Sequence, residues 1–150
     1  PRASRTAYND RMRYLGVDPG GRRMGLAVGD DASGVVTPLA VIGYAGVAAA
    51  ARTIAETAGR FDAEAVVIGL PTGADGAAAP AARRSQLLGE AVAALGLQVF
   101  LQSERLSTDE ARRRARECGR GRREAVDDLA AQVVLEEYLG EVRRRALGGA

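Results

Sequence analysis

Histidine, lysine and tryptophan are all absent from this 150-residue chain. Without histidine there is no Ser-His or Cys-His catalysis and no imidazole metal site. A single cysteine, Cys118, excludes an internal disulfide and a cysteine zinc cluster. Any metal must therefore be held by oxygen ligands, which points to Mg²⁺ or Mn²⁺. Aromatic residues make up 4% of the chain, too few for a base-stacking surface. No apolar run approaches the roughly 18 residues of a membrane span, and no charged-then-apolar leader opens the chain. The expectation is a cytoplasmic protein with no membrane partner.

What is present is an ordinary globular composition, 47% hydrophobic and 27% charged, at the length of one domain. The net charge is only +2, yet all 21 basic residues are arginine. A GC-rich genome is the simpler cause of that bias. Physically it still matters, because a guanidinium fork pairs bidentately with phosphate. Seven arginines fall between Arg112 and Arg123. A charge run is usually a solvated helix face, but Gly119 and Gly121 inside it suggest a mobile basic loop.

Residues 1–11 are polar and unpatterned, which predicts a disordered extension. Strands are expected at Arg13–Val17, Met24–Gly29 and Val35–Ile42, joined by turns rich in Gly and Asp into an antiparallel meander. A helix follows over roughly Gly46–Arg60. Ala65–Gly69 is a short continuous apolar run, as a buried parallel strand requires. After the glycine-rich segment LPTGADGAAAP, a helix is expected over Ala81–Leu95, with Leu87, Leu88, Ala91, Val92 and Leu95 on one face. A strand at Gln98–Gln102 follows. Ser107 and Glu110 form a capping box that opens a helix over Thr108–Glu117, and a last helix runs from about Glu124 to Leu139. There is no repeat and no linker of domain scale.

Three acidic positions stand out, each with a plain structural explanation beside a functional one. Asp18 follows the first apolar strand and precedes Pro19-Gly20, where an Asx-turn accounts for it as well as a site does. Glu104 ends the strand QVFLQ, at the strand end where open α/β sheets put their ligands; alone, it reads best as a solvated charge. Asp127 and Asp128 suit the helix dipole, worth about 0.3–1 kcal/mol each. At about 100° per residue, Asp127 lies roughly 90° from the stripe of Val126, Leu129, Ala130, Val133 and Val134, and Asp128 nearly opposite it. So Asp127 can turn toward the sheet and Asp128 should face solvent. Clustered carboxylates repel unless protonated or bridged by cations. Two divalent ions about 3.5–4 Å apart would offset that repulsion and clamp a phosphodiester displacement. Water activated by such an ion is the nucleophile this composition can supply.

YLGVDPGGRRMGLAVGD at 14–30, VVIGLPTGADG at 66–76, SERLSTDEA at 103–111 and VDDLAAQVVLEEYL at 126–139 together resemble the YqgF/RuvX family. Those proteins are RNase H-like nucleases, described as Holliday junction resolvases and as pre-16S rRNA processing nucleases. A lone D-x-G is unspecific; four ordered motifs at matching spacing, covering about 13–140, are specific. The resemblance implies an α/β, RNase H-like fold with a five-stranded mixed sheet, order 3-2-1-4-5, flanked by helices. Residues 12–140 would then be the nuclease domain, 1–11 an extension and 141–150 a basic tail. The family's metal-binding, catalytic acids fall on Asp18, Glu104 and Asp127, holding one or two Mg²⁺ or Mn²⁺ ions. Gly20 and Gly25 fall around the first turn with Arg23 between them. Gly69, Pro71, Asp75 and Gly76 fall in the second loop, and Arg105 and Thr108 beside the glutamate. Ser103 stands where the family often has an acid, and Thr72-Gly73-Ala74 is a variant loop.

The expected partner is therefore pre-rRNA or branched DNA. Arg23, Arg105, Arg113, Arg116, Arg120, Arg122 and Arg123 are candidate contacts to it; for Arg23 or Arg105 alone a structural ion pair is the simpler role. Acting on a symmetric junction would call for a homodimer. Two other classes share parts of the pattern. Actin-like ATPases have the D-x-G-x-x-x-x-G hairpin of Asp18, Gly20 and Gly25, but close two such domains on ATP, and this chain has room for one. A non-catalytic nucleic-acid-binding module would need the basic segment and not the acids.

Overall fold

A computed structural model of the chain describes residues 11–20, 22–71, 79–103 and 122–148; the side chains of 79 and 122–128 lie outside the description as well. The order of elements is β1 (Arg13–Pro19), β2 (Arg23–Asp30), β3 (Val36–Gly43), α1 (Gly46–Arg60), β4 (Ala65–Leu70), α2 (Ala79–Ala94), β5 (Gln98–Ser103) and α3 (Arg122–Gly148). The helix expected over Thr108–Glu117 falls outside the described residues.

The five strands form one sheet in the order β3-β2-β1-β4-β5. β1 pairs antiparallel with β2, and β2 with β3, which is the expected meander. β4 runs parallel to β1, and β5 parallel to β4. The apolar run Ala65–Gly69 thus lies between two parallel neighbours and is buried on both faces. At the β3 edge the ladder slips between Leu26 and Ala27, whose partners are Ala40 and Pro38. The irregularity sits beside a proline, which cannot donate to a ladder and is tolerated on an edge strand.

Strand alternation sorts the core into two layers. Leu15, Val17, Met24, Leu26, Val66 and Ile68 pack against Ala50, Ala51, Ile54 and Ala58 of α1 and Leu88 and Val92 of α2. Tyr14, Ala27, Val36, Ala65 and Val67 pack on the opposite face against Ala131, Val134, Leu135, Tyr138 and Leu139 of α3. Each fully buried branched side chain among these contributes about 1.5–3 kcal/mol. On the α3 side Tyr138 sits edge-on to Tyr14 at 5.3 Å and 5.2 Å from Phe100. Burial pushes its phenol above the ordinary value, while the Tyr14 hydroxyl bond works against that shift.

Gly16 decides how closely α3 can lie on the sheet. A Cβ there would stand 2.8 Å from the Leu135 Cβ and 3.1 Å from the Ala131 carbonyl oxygen. Only a glycine on the central strand leaves room for the helix backbone.

Two boundaries differ from expectation. β1 continues through Asp18 to Pro19, so the aspartate lies within the strand, opposite Gly25, rather than after it. The last helix spans Arg122–Gly148 instead of ending near Leu139. Most of the basic 141–150 segment is therefore helical, and Arg122 and Arg123 open the helix rather than extend a loop.

Candidate active site

β1, β4 and β5 all end at one edge of the sheet. Val17 pairs with Ile68, Gly69 with Gln102 and Leu70 with Ser103. Asp18 therefore stands level with Gly69 at the carboxyl end of the central strand, half-buried. Alternation from Tyr14 and Gly16 puts it on the α3 face of β1. β5 ends at Ser103, the residue before Glu104; Glu104 itself lies outside the described residues, as do Arg105, Arg113, Arg116 and Arg120.

α3 brings its first turns to the same edge. Its contacts move down β1 as the chain advances: Ala131 and Leu135 at Gly16, Leu139 at Gly29 opposite Tyr14, then Arg143 to the Ser33 carbonyl at 3.4 Å. The helix thus runs against β1. One turn before Ala131, about 6 Å along the axis, is position 127, and two strand residues beyond Gly16, about 6.6 Å, is Asp18.

The expected angular separation of the two aspartates needs correction. The face of α3 that meets the sheet is centred on Ala131, Leu135 and Tyr138; of the expected stripe Val134 packs there, while Leu129 and Val133 are buried away from it. Counted at about 100° per residue from Ala131, positions 127 and 128 lie about 40° and 60° to either side of it. The flanks are distinguished by their neighbours. Gln132, Leu139 and Arg143, on one flank, reach β2, β3 and the turn between them. Tyr138 and Glu141, on the other, reach Phe100 and Gln102 of β5. Position 127 shares the β5 flank and position 128 the β2 flank. The side chains of both, and of Arg122 and Arg123, lie outside the described residues.

The turn after Asp18 is closed through the main chain of Gly20. Its N–H donates to the Arg23 carbonyl at 2.8 Å. Its own carbonyl accepts the Tyr44 hydroxyl at 2.6 Å and Arg84 Nη1 at 3.1 Å. A Cβ on residue 20 would lie 2.7 Å from the Arg23 carbonyl oxygen, so the position needs glycine. Arg23 is half-buried at the start of β2. Tyr44 and Arg84 escaped the sequence reading. Their only signals there are an isolated tyrosine after a strand and an Arg-Arg pair in the first turns of a helix otherwise read for its apolar face.

A family model described as Holliday junction resolvase, RuvX, matches residues 12–141. The chain belongs to the RuvX family. A relative from Anaeromyxobacter sp. (strain Fw109-5), named "Putative pre-16S rRNA nuclease", is 41% identical over 132 residues, covering 85% of this chain and 96% of its own. One of the same name from Myxococcus xanthus is 33% identical, covering 85% and 87%. Among solved structures, T. thermophilus RuvC in complex with a Holliday junction substrate superposes with a TM-score of 0.57 at 18% identity, over 88% of this chain and 96% of that one. Fowlpox virus resolvase with junction DNA gives 0.55 at 12% identity, over 87% and 99%. Those two likenesses bear out the RNase H-like fold.

Among the described residues no group of three acids is gathered, since Asp18 alone of the three candidates has a described side chain. The donor chemistry nonetheless fits a hard divalent cation: the chain has no histidine, and its 19 acidic residues far outnumber its single cysteine as partners for the half-buried Asp18 carboxylate. No helix among the described residues is long and apolar enough to cross a membrane.

Proposed function

We propose that this chain is a metal-dependent nuclease in which Asp18, Glu104 and Asp127 hold one or two Mg²⁺ or Mn²⁺ ions and pre-16S rRNA is the substrate. The observation that carries the reading is the half-buried Asp18 at the carboxyl end of the central strand, with β5 ending one residue before Glu104 and α3 starting toward the same edge. The family and the relatives' name support a phosphodiester hydrolase; the 41% identity of a relative so named supports the ribosomal precursor.

Divalent ions held by these residues would supply Lewis-acid stabilisation of charge on the scissile phosphate. The protein's own part is to gather three carboxylates that would otherwise repel, and to bring nucleic acid to them. Arg122 and Arg123 open α3, where the helix dipole disfavours cations by about 0.3–1 kcal/mol each. That placement supports a role in phosphate contact, together with Arg23, Arg105, Arg113, Arg116 and Arg120. Acting on a ribosomal RNA precursor would put the protein in the cytoplasm, and the relatives' name supports that substrate.

Cleavage of four-way junction DNA is the second reading, favoured by the family's description as resolvase; it would require a homodimer, since two symmetric strands are cut. Side-by-side cleavage of pre-16S rRNA and junction DNA, titrated with Mg²⁺ and Mn²⁺ and with Asp18→Asn as control, tests both. Divalent-dependent cut rRNA, absent in the variant, is expected. Binding without cleavage at any metal concentration would leave a non-catalytic nucleic-acid module.

A further inference from the structure

The Gly20 carbonyl is held from two distant parts of the chain. Tyr44 is 24 residues away, just after β3, and Arg84 is 64 residues away on α2. A carbonyl oxygen offers two lone pairs, and here both are occupied. The N–H of the same residue closes the turn on Arg23. Residue 20 is thus fixed at its donor and its acceptor, two positions after Asp18. The bonds from Tyr44 and to Arg23 are short, at 2.6 and 2.8 Å, and the longer one from the guanidinium, at 3.1 Å, is charge-assisted.

Neither donor is needed to form the strand, which is already paired on both sides. What they constrain is the path of the chain as it leaves β1. They also keep the carbonyl dipole occupied, so that its negative end does not face an approaching phosphate. A reacting group misplaced by about 1 Å can lose about 100-fold in rate.

We propose that Tyr44 and Arg84 are positioning residues for the Asp18 carboxylate, acting through the Gly20 carbonyl and touching neither nucleic acid nor metal. The proposal rests on the nuclease reading above. It makes the β3–α1 junction and the start of α2 part of the apparatus that orients the site.

The test uses Tyr44→Phe, which removes one hydroxyl, and Arg84→Gln and Arg84→Lys in the full chain. Tyr44→Phe and Arg84→Gln should each lower kcat about 10- to 100-fold, as loss of supporting hydrogen bonds around a metal site does. KM should stay within about twofold, because no substrate contact is lost. Arg84→Lys, which keeps a long, charged donor where Gln leaves a shorter, neutral one, should recover much of the loss. Exchange of the Gly20 amide should accelerate in the damaged variants while the global melting point stays put. Mn²⁺ titration without substrate should show weaker binding in both. Unchanged kcat and Mn²⁺ affinity alongside a freed Gly20 amide would overturn the proposal, as would a raised KM at constant kcat, which would make Arg84 a substrate contact. Should Arg84→Gln fail to fold, Tyr44→Phe decides alone. A wild-type chain that cleaves nothing, like Asp18→Asn, would instead sink the nuclease reading, and the Mn²⁺ titration would then judge the pin by itself.

Discussion

β2 is entered and left by two turns that look alike in sequence, DPGGRR and DDASG, yet they are built differently. At the second, the aspartate is the turn. Asp30 Oδ1 accepts the Ala32 and Ser33 amides at 3.1 and 2.8 Å, and Oδ2 accepts the Ser33 hydroxyl at 3.0 Å. Asp31 Oδ1 accepts the Met12 amide at 2.9 Å. Burial works to raise the Asp30 carboxyl, but the Ser33 bonds, the Arg11 charge and the Ala32 amide outweigh it and hold the group below its ordinary value. At the first turn, closure runs through the main chain of Gly20 and the side chains of Tyr44 and Arg84. At Asp30 the Asx-turn itself is on display, with the side chain capping the amides two and three residues on.

The sharpest way to break this contrast is to neutralise each aspartate without changing its shape. Asp18→Asn should abolish cleavage and leave nucleic-acid affinity unchanged or slightly higher, since a repulsive charge is gone. Asp30→Asn should leave the cleavage rate within about twofold and cost a little stability. Asp127→Asn should match Asp18→Asn, and Asp128→Asn should not, given the opposite flanks of α3 on which the two positions lie. Gel assays of rate and binding on all four variants decide it. An active Asp127→Asn beside a dead Asp128→Asn would mean the β2 flank carries the ligand.

Glycine substitutions give the next largest effect. In Gly20→Ala the new methyl would meet the Arg23 carbonyl oxygen, at 2.7 Å, and main chain must move. A loss of about 1–3 kcal/mol is expected from such overpacking, with cleavage lost alongside. Gly34→Ala, in the other turn, forces an alanine to a φ of +72° against the flexible Arg143 side chain. It should cost about 1–2 kcal/mol with cleavage intact. Urea titrations and rates on the two variants would show stability and activity falling together at one end of β2 and separating at the other. Activity surviving in Gly20→Ala would deny the first turn its functional role.

How much of this was legible beforehand follows the range of the interactions. The meander, the buried parallel strand and the helices have local signals: Gly and Asp turns, the run AVVIG, apolar spacing. Asp18 and its partners Gly20 and Gly25 are contiguous and were readable as a motif. Tyr44 and Arg84 were not, because their role exists only where a turn meets residues 24 and 64 positions away. The face of α3 is hidden in the sequence for a similar reason. Its sequence carries apolar residues around much of the helix, with Leu129 and Val133 buried well away from the Ala131 flank. Periodicity alone could not say which set meets the sheet; Gly16, on another element, does.

Smaller effects should come from the arginines around the start of α3 in the sequence. Replacing Arg120, Arg122 and Arg123 with alanine should weaken binding to every nucleic acid tested. Each duplex phosphate contact contributes about 0.9 to the salt slope, so the triple variant should flatten it by about two to three units. The site's metal affinity should persist, in contrast to Asp18→Asn. Because Arg122 and Arg123 begin a helix, removing them also relieves an unfavourable dipole interaction, so stability should hold or rise slightly. An unchanged salt slope would make the cluster a solvated surface and move the substrate path elsewhere.

The smallest expected effect is the pH dependence of the second turn. Asp30 is held below its ordinary value, so its folded carboxyl gives up charge less readily than the unfolded one. Its contribution to stability is therefore complete above the unfolded value, about 3.9, and disappears as pH falls through the lower folded value. Asp30 is partly exposed, and Asn keeps one acceptor for the two amides, so the gap between wild type and Asp30→Asn at pH 7 should be only about 0.5–1 kcal/mol. Denaturant midpoints measured from pH 7 down to about 2.5 should show that gap closing below about pH 4. A gap that stayed constant to the acid end would mean that shape rather than charge holds the turn. Asp30 would then lose its standing as the charged half of the comparison with Asp18.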